Sequence, residues 1–258
     1  MWLMLPSDSV REAQRMVKEA RRISALTGAG ISVDSGIPDF SSDAGLWKRY
    51  DPLEYVTHES FLNDPTKFWT MGREIAGLLL NAKPNAAHIA LSQLEKQDRL
   101  IGIITLNIDN LHQLAGNTRV IELRGNYLRA DCTECGRTYF GEEVHRRVAG
   151  GQIPPRCEEC QGVLKSEAVL FGEPLHKDAM RRAIEVCKGT DLMLVIGTSL
   201  QVYPAAYLPE LARKNGARII LVSLRGVDRH GIADIIVRGR ASEVLPAIVG
   251  LGEWKVEP

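Results

Sequence analysis

Four cysteines fall in two close pairs, Cys132-x-x-Cys135 and Cys157-x-x-Cys160, with 21 residues between the pairs. This spacing makes two knuckles able to close a tetrahedral tetrathiolate site. Four thiolates leave no open coordination position, so zinc held there is structural and not catalytic. The stretch around them, Tyr127 to Lys165, is polar and poor in apolar periodicity, a deficit that a metal's contribution to folding would offset. Four unligated buried cysteines are the alternative, and the spacing argues against it. The fifth cysteine, Cys187, lies in a helical pattern and reads as a small core residue.

A second stretch with chemical capacity is Leu26-Thr27-Gly28-Ala29-Gly30-Ile31-Ser32. The apolar run from Ile23 enters it and an amphipathic pattern leaves it, which predicts a strand, a tight turn and a helix start. Gly28 and Gly30 let the backbone turn sharply and come close to a ligand, and the first N–H groups of a helix favour an anion. A phosphate-bearing cofactor is the natural occupant. Val33 stands where the dinucleotide fingerprint has a third Gly or Ala, so on this segment alone an ordinary glycine-rich turn competes.

The elements that must hold these residues follow from periodicity. A continuous apolar run at Leu100–Thr105 reads as a strand buried on both faces, Asp191–Ile196 and Arg218–Leu224 read as strands, and Val120–Leu123 and Ile235–Arg238 as shorter ones. Amphipathic helices are expected at Ser7–Arg22, Glu74–Leu80, Pro84–Gln97 (with Asn85 as a cap), Lys177–Cys187, around Tyr207–Asn215, and at Ser242–Val249. Strands alternating with helices predict an α/β fold, a doubly wound parallel sheet of Rossmann type. The polar clusters Gly28–Ser32, Leu106-Asn107-Ile108-Asp109, Arg124-Gly125-Asn126 and Gly197-Thr198-Ser199 each follow a strand, so they should converge in the crevice beyond the strand ends. Most aromatics between Phe40 and Arg73 read as core packing of a small helical module.

With 258 residues, a formal net charge of zero, 45% hydrophobic and 25% charged residues, the composition is ordinary for a soluble globular protein. Nothing in it indicates a nucleic-acid partner. No apolar run is long enough to span a bilayer, and Met1 to Leu5 lacks the features of a signal peptide. Paired metal-binding cysteines point to a reducing compartment, and a cytoplasmic location is expected.

Taken together, Gly28-Ala29-Gly30-Ile31-Ser32, Ser35-Gly36-Ile37-Pro38-Asp39-Phe40, Asn107-Ile108-Asp109-Asn110-Leu111-His112, the paired knuckles, Phe171-Gly172-Glu173 and Gly197-Thr198-Ser199-Leu200 occur in the order seen in sirtuins. The chain resembles a compact microbial sirtuin, a family of NAD-dependent protein lysine deacylases. The resemblance implies a single sirtuin-type unit. Its large Rossmann subdomain would comprise residues 1–39, 74–126 and 165–258. A small subdomain would combine a helical module, 40–73, and a zinc-ribbon module, 127–164. NAD and an acylated lysine protein or peptide would meet between the two. By the same resemblance Gly28, Ala29, Gly30 and Ser32 serve the pyrophosphate, and Phe40 shields the nicotinamide ribose. Asn107, Ile108 and Asp109 hold and help cleave the nicotinamide end, while Gly197, Thr198 and Ser199 hold the adenosine side. Val169 and Phe171, with Gly172 and Glu173, flank the acyl-lysine tunnel and pair with the peptide backbone.

Four positions depart from the family pattern. Ser41 follows Phe40 where the family has Arg; Leu106 replaces Gln; Arg124 replaces the His of Glu-Leu-His-Gly; Ser223 stands where Asn contacts the adenosine ribose. In the family reaction that His deprotonates a ribose hydroxyl after nicotinamide leaves. Arg carries only donors and keeps its proton at neutral pH, so it cannot serve as that base. Loss of a general base costs roughly 10²–10⁴ in rate. Arg124 could instead offer its guanidinium to phosphate or ribose oxygens of the cofactor. The sequence therefore predicts a sirtuin-type deacylase with impaired turnover. NAD cleavage or ADP-ribosyl transfer is the enzymatic alternative, and an NAD or ADP-ribose binding module the non-enzymatic one.

Overall fold

Uninterrupted apolar runs become the strands of one parallel sheet. The computed structural model describes residues 8–38, 48–224, 228 and 231–251; Asp39, Phe40 and Ser41 lie outside them. The sheet contains β1 (Ile23–Thr27), β2 (Leu100–Thr105), β3 (Val120–Glu122), β7 (Leu192–Ile196), β8 (Arg218–Ser223) and β9 (Ile235–Arg238), in the order β3-β2-β1-β7-β8-β9. Every residue of β1 and β7 is buried, as strands covered on both faces require. The order reverses between β1 and β7, which is the switch point of a doubly wound sheet.

Helices α1 (Asp8–Glu19), α5 (Ala86–Lys96) and α10 (Ala241–Ile248) cover one face through a shared core that includes Met16, Leu91 and Leu245. Helices α8 (Lys177–Gly189) and α9 (Leu208–Lys214) cover the other, packing around Leu26, Ile104 and Met193. Asn85 caps α5 as expected, accepting from the Ala87 N–H while the His88 side chain reaches back to the Asn85 N–H. Cys187 is fully buried in the second of these cores, as its helical setting predicted.

The remaining elements form a third core. These are α2 (Pro52–Tyr55), α3 (His58–Asn63), α4 (Pro65–Asn81), α6 (Leu111–Leu114), α7 (Gly141–Ala149), and a three-stranded antiparallel sheet of β4 (Arg129–Cys132), β5 (Thr138–Phe140) and β6 (Leu164–Ser166). Phe61, Phe68 and Trp69 are buried there, as core packing predicted, and the Trp69 indole donates to the Leu164 carbonyl at 2.8 Å.

Two expectations change. The glycine turn is not followed by an α-helix but by two three-residue 3-10 turns, Ala29–Ile31 and Val33–Ser35. The pattern of apolar residues beyond Gly30 is too short to propagate a helix against its costly nucleus. Helix α4 also begins nine residues earlier than Glu74, because Asp64 caps it and Pro65 sits in its first turn. The boundary drawn at residue 73 thus falls inside one continuous helix, and the third core extends along it through Ile75, Ala76 and Leu79. Helix α7 and strands β4 to β6 have no counterpart among the expected elements.

Candidate functional site

Strand register sets the site. Thr27 pairs with Thr105 on one side and Ile196 on the other, so Gly28, Leu106 and Gly197 leave the sheet side by side. Ile196 pairs in turn with Val222, which brings Ser223 to the same edge. The strand-end clusters therefore converge as their positions predicted.

The glycines at this edge are explained by contact between neighbouring strand ends. A Cβ on Gly28 would lie 2.8 Å from the Thr198 Cβ, and one on Gly30 would lie 2.7 Å from the Gly197 Cα. Gly197 itself has φ +61°. Gly28 has φ −129°, an extended conformation open to any residue, so its need for glycine is lack of space and not backbone freedom. The Gly30 N–H donates to the Gly197 carbonyl at 2.9 Å and binds the two loops together.

Beside this edge lies a cleft between the parallel sheet and the third core. Its polar end holds Ser32, Asn107, Asp109 and Arg124. The Ser32 hydroxyl donates to Asp109 Oδ2 at 2.7 Å, and the Asn107 amide donates to Ser32 Oγ at 3.1 Å and to the Gly28 carbonyl at 3.2 Å. The Leu111 N–H donates to Asp109 Oδ1 at 3.0 Å. Burial raises the pKa of Asp109, opposed by the hydrogen bonds from Ser32 and Leu111. Beneath these residues, Thr27 Oγ1 donates to Thr105 Oγ1 at 2.9 Å, and Thr105 Oγ1 accepts from the Asn107 N–H at 3.0 Å. His112 Nε2 is hydrogen-bonded to Thr27 Oγ1 at 2.9 Å, so this histidine is buried below the cleft and supports it.

Arg124 lies where β3 ends and is half-buried. Its Nη2 donates to the Val169 carbonyl at 3.4 Å, its carbonyl accepts from the Val169 N–H at 2.8 Å, and its guanidinium sits 5.6 Å from the centre of the Phe171 ring. Burial lowers its pKa. Among the described residues it makes no ion pair, and no histidine lines the cleft.

The other predicted positions separate. Ala29, Ile108 and Val169 line the cleft with the polar group. Leu106 does not; it packs against the core that contains Leu26 and Ile104. The Phe171 N–H donates to the Val56 carbonyl and its carbonyl accepts from the His58 N–H, both at 2.9 Å. The Val169 and Phe171 backbones, expected to pair with a peptide, are thus engaged within the chain. Glu173 accepts from the Leu170 N–H at 2.8 Å and pairs with Lys165 at 3.1 Å, which braces this segment. Gly197, Thr198, Ser199 and Ser223 stand at the neighbouring strand ends outside the cleft lining. Phe40 and Ser41 lie outside the described residues.

The apolar end of the cleft was missed in the sequence. Phe68, Met71, Ile75 and Leu79 of α4 line it, together with Tyr127. Their spacing of three and four residues is one helix face, a signal obscured by dividing that helix at residue 73.

The four cysteines come together as their spacing required. Their sulfurs lie within 4.8 Å of one another, with Cys132 to Cys160 at 3.4 Å and Cys135 to Cys157 at 3.7 Å. Sulfurs placed tetrahedrally at about 2.3 Å from zinc are about 3.8 Å apart, so the group fits the metal. The donor set, four thiolates with no open position, suits a structural ion.

A switch-point crevice with a buried Ser-Asn-Asp group, joined to a four-cysteine module, defines a nucleotide-binding α/β protein with a zinc-fitted insert. The Sir2 family pattern matches residues 28–204. The NAD-dependent protein deacetylase of Caldivirga maquilingensis is 43% identical over 240 residues, covering 93% of this chain and 92% of the relative. A Sir2 enzyme solved to address mechanism and regulation in these enzymes is 41% identical, with a TM-score of 0.88 over 95% of this chain and 97% of its own. A Sir2 complex with a p53 peptide and NAD+ is 34% identical, with a TM-score of 0.84 over 93% and 97% of the two chains. The chain belongs to the Sir2 family.

Proposed function

We propose that this chain is a sirtuin-type protein that binds NAD at the β1/β7 switch point and an acylated lysine peptide in the adjoining cleft, with deacylase turnover impaired. Family membership supports the activity class, since the Caldivirga relative is named a deacetylase and the p53 complex contains NAD+ and a peptide. In this reading Gly28, Ala29, Gly30 and Ser32 receive the cofactor's pyrophosphate, and Gly197, Thr198, Ser199 and Ser223 its adenosine side. Asn107, Ile108 and Asp109 hold the nicotinamide end, with Phe40, Ser41 and Leu106 around the ribose. Leu106 takes part only as an apolar support below the strand end, given its packing. Val169, Phe171, Gly172 and Glu173 shape the entry for acyl-lysine. When bound, NAD supplies the ribose carbon that accepts the acyl oxygen as nicotinamide leaves. Cys132, Cys135, Cys157 and Cys160 hold the structural zinc, and their thiol chemistry suits a cytoplasmic, reducing setting. Among the described residues no helix is long and apolar enough to cross a membrane.

The observation that carries the impairment is Arg124 in the same cleft as Asn107 and Asp109, with no histidine in the lining among the described residues. The guanidinium can orient an oxygen but cannot take a proton from it. The retained Ser32–Asn107–Asp109 group supports nicotinamide loss as the surviving step, which gives the second reading, NAD cleavage or ADP-ribosyl transfer. Nicotinamide release, measured with and without acetylated peptide on the native chain and on Arg124→His, tests both. Arg124→His should raise peptide-dependent turnover by on the order of 10²-fold or more. Peptide-dependent release at ordinary enzyme rates from the native chain would overturn the impairment. Release without peptide would favour NAD cleavage, and NAD binding without any release a binding module.

A further inference from the structure

The zinc-fitted cysteines differ in what surrounds them. The Cys157 sulfur is fully buried and lies 3.2 Å from the Tyr139 hydroxyl. That hydroxyl already accepts the Glu158 N–H at 3.0 Å, so the residue next to the ligand fixes the orientation of the phenol. A zinc-bound sulfur is a thiolate with no proton to give, and the short approach must then be a hydrogen bond donated by the phenol. Among the described residues no other ligand sulfur receives a side-chain O–H.

Two cations enhance this donor. The Arg137 and Arg147 guanidinium carbons lie 5.7 and 5.2 Å from the centre of the Tyr139 ring. Cationic charge over a ring withdraws electron density from it and makes its O–H a better donor. Arg147 is itself held by the Arg156 carbonyl at 3.2 Å and by Glu158 at 2.5 Å, so α7 and β5 together grip the second knuckle.

We propose that Tyr139 is a positioning residue for the metal: its phenol donates to the Cys157 thiolate and thereby slows release of zinc. An outer partner that fixes the position of a ligand atom holds that ligand on the metal, and its loss loosens the site. Packing alone would not require the hydroxyl, since the ring is buried in the third core whether or not oxygen is present. The inference rests on the four-cysteine zinc reading.

The test compares the native protein, Tyr139→Phe and a site-specific 3-fluorotyrosine at position 139. Metal analysis of the native protein comes first; a folded chain holding far less than one zinc would reject the zinc reading itself. Zinc release is then followed by capture with a chromogenic chelator. Tyr139→Phe should bind one zinc but release it about tenfold faster or more, the scale expected for loss of an outer partner of a metal ligand. The fluorinated tyrosine keeps the shape, donates more strongly, and should release zinc more slowly than the native chain. In cobalt-substituted protein the thiolate-to-metal charge-transfer band should move to longer wavelength in Tyr139→Phe, a signature that packing would not produce. Equal release rates and an unmoved band would overturn the proposal, as would a fluorotyrosine variant that releases zinc faster. If Tyr139→Phe fails to fold, the fluorotyrosine comparison decides.

Discussion

At the scale of single residues, the site joins groups with opposite demands. Asp109 is almost fully buried, and its hydrogen bonds from Ser32 and Leu111 do not offset the cost of burying its charge. A carboxyl whose folded pKa is raised lowers stability as pH rises from its ordinary value near 3.8 through the folded one. Asp109→Asn keeps an oxygen for the Leu111 N–H and removes the buried charge. It should therefore melt no lower than the native protein at pH 7 and yet lose nicotinamide release, which differential scanning calorimetry and the release assay check together. Arg124 is the counterpart at the same polar end, a donor-only group tied to Val169 and Phe171 where the resemblance calls for a proton acceptor. The cost of one residue is its buried charge, and the inertness of the other is that of a guanidinium that keeps its proton although burial lowers its pKa.

At the scale of elements, the site is made by strand ends that nearly touch. The Gly30 and Gly197 backbones approach so closely that either Cβ would overlap the other loop. Gly30→Ala should cost about 1–3 kcal/mol in stability, the range for overpacking. It should also weaken ADP-ribose binding measured by calorimetry, since the two loops form one surface. The second wall depends on the zinc-fitted module. β6 continues into the 168–170 segment of the cleft, and Trp69 ties α4 to β6 through Leu164. Zinc held by the four cysteines would act on the cleft through the small sheet that carries Cys132.

At the scale of the whole molecule, acid sensitivity is built into the packing. His88 and His112 are buried with ring centres 5.0 Å apart, and burial lowers the pKa of both, His88 to about 4. A histidine with a depressed folded pKa costs stability as pH falls below about 6.5, because the unfolded chain takes the proton and the folded chain does not. For His88 the loss between pH 6.5 and 4 is on the order of 3 kcal/mol. Gln at this position could still reach back to the Asn85 N–H as the third helical residue of a capping box. His88→Gln should accordingly show a smaller fall in urea midpoint between pH 7 and pH 4.5 than the native chain. An equal fall in both would show that His88 does not carry the acid sensitivity.

How much of this was legible in the chain depends on the range of the interaction. The strands of the parallel sheet, the Asn85 cap and the four-cysteine site are readable because each is fixed by local pattern or by a donor set that only one geometry satisfies. The order of motifs identified the family, and the type of residue 124 alone excludes it as a base. The start of α4 was misplaced because capping by Asp64 outweighed the loose apolar pattern of residues 65–73. The 3-10 turns follow an apolar pattern too short to propagate a helix, and the apolar end of the cleft lies on a face of α4 that dividing the helix at residue 73 obscures. The turning of Leu106 into the core beneath the site, the engagement of the Val169 and Phe171 backbones within the chain, and the phenol of Tyr139 against Cys157 were decided only in the tertiary structure. Chemistry that a side chain carries in itself is written in the sequence, whereas its neighbours are chosen by packing between elements that the sequence order does not juxtapose.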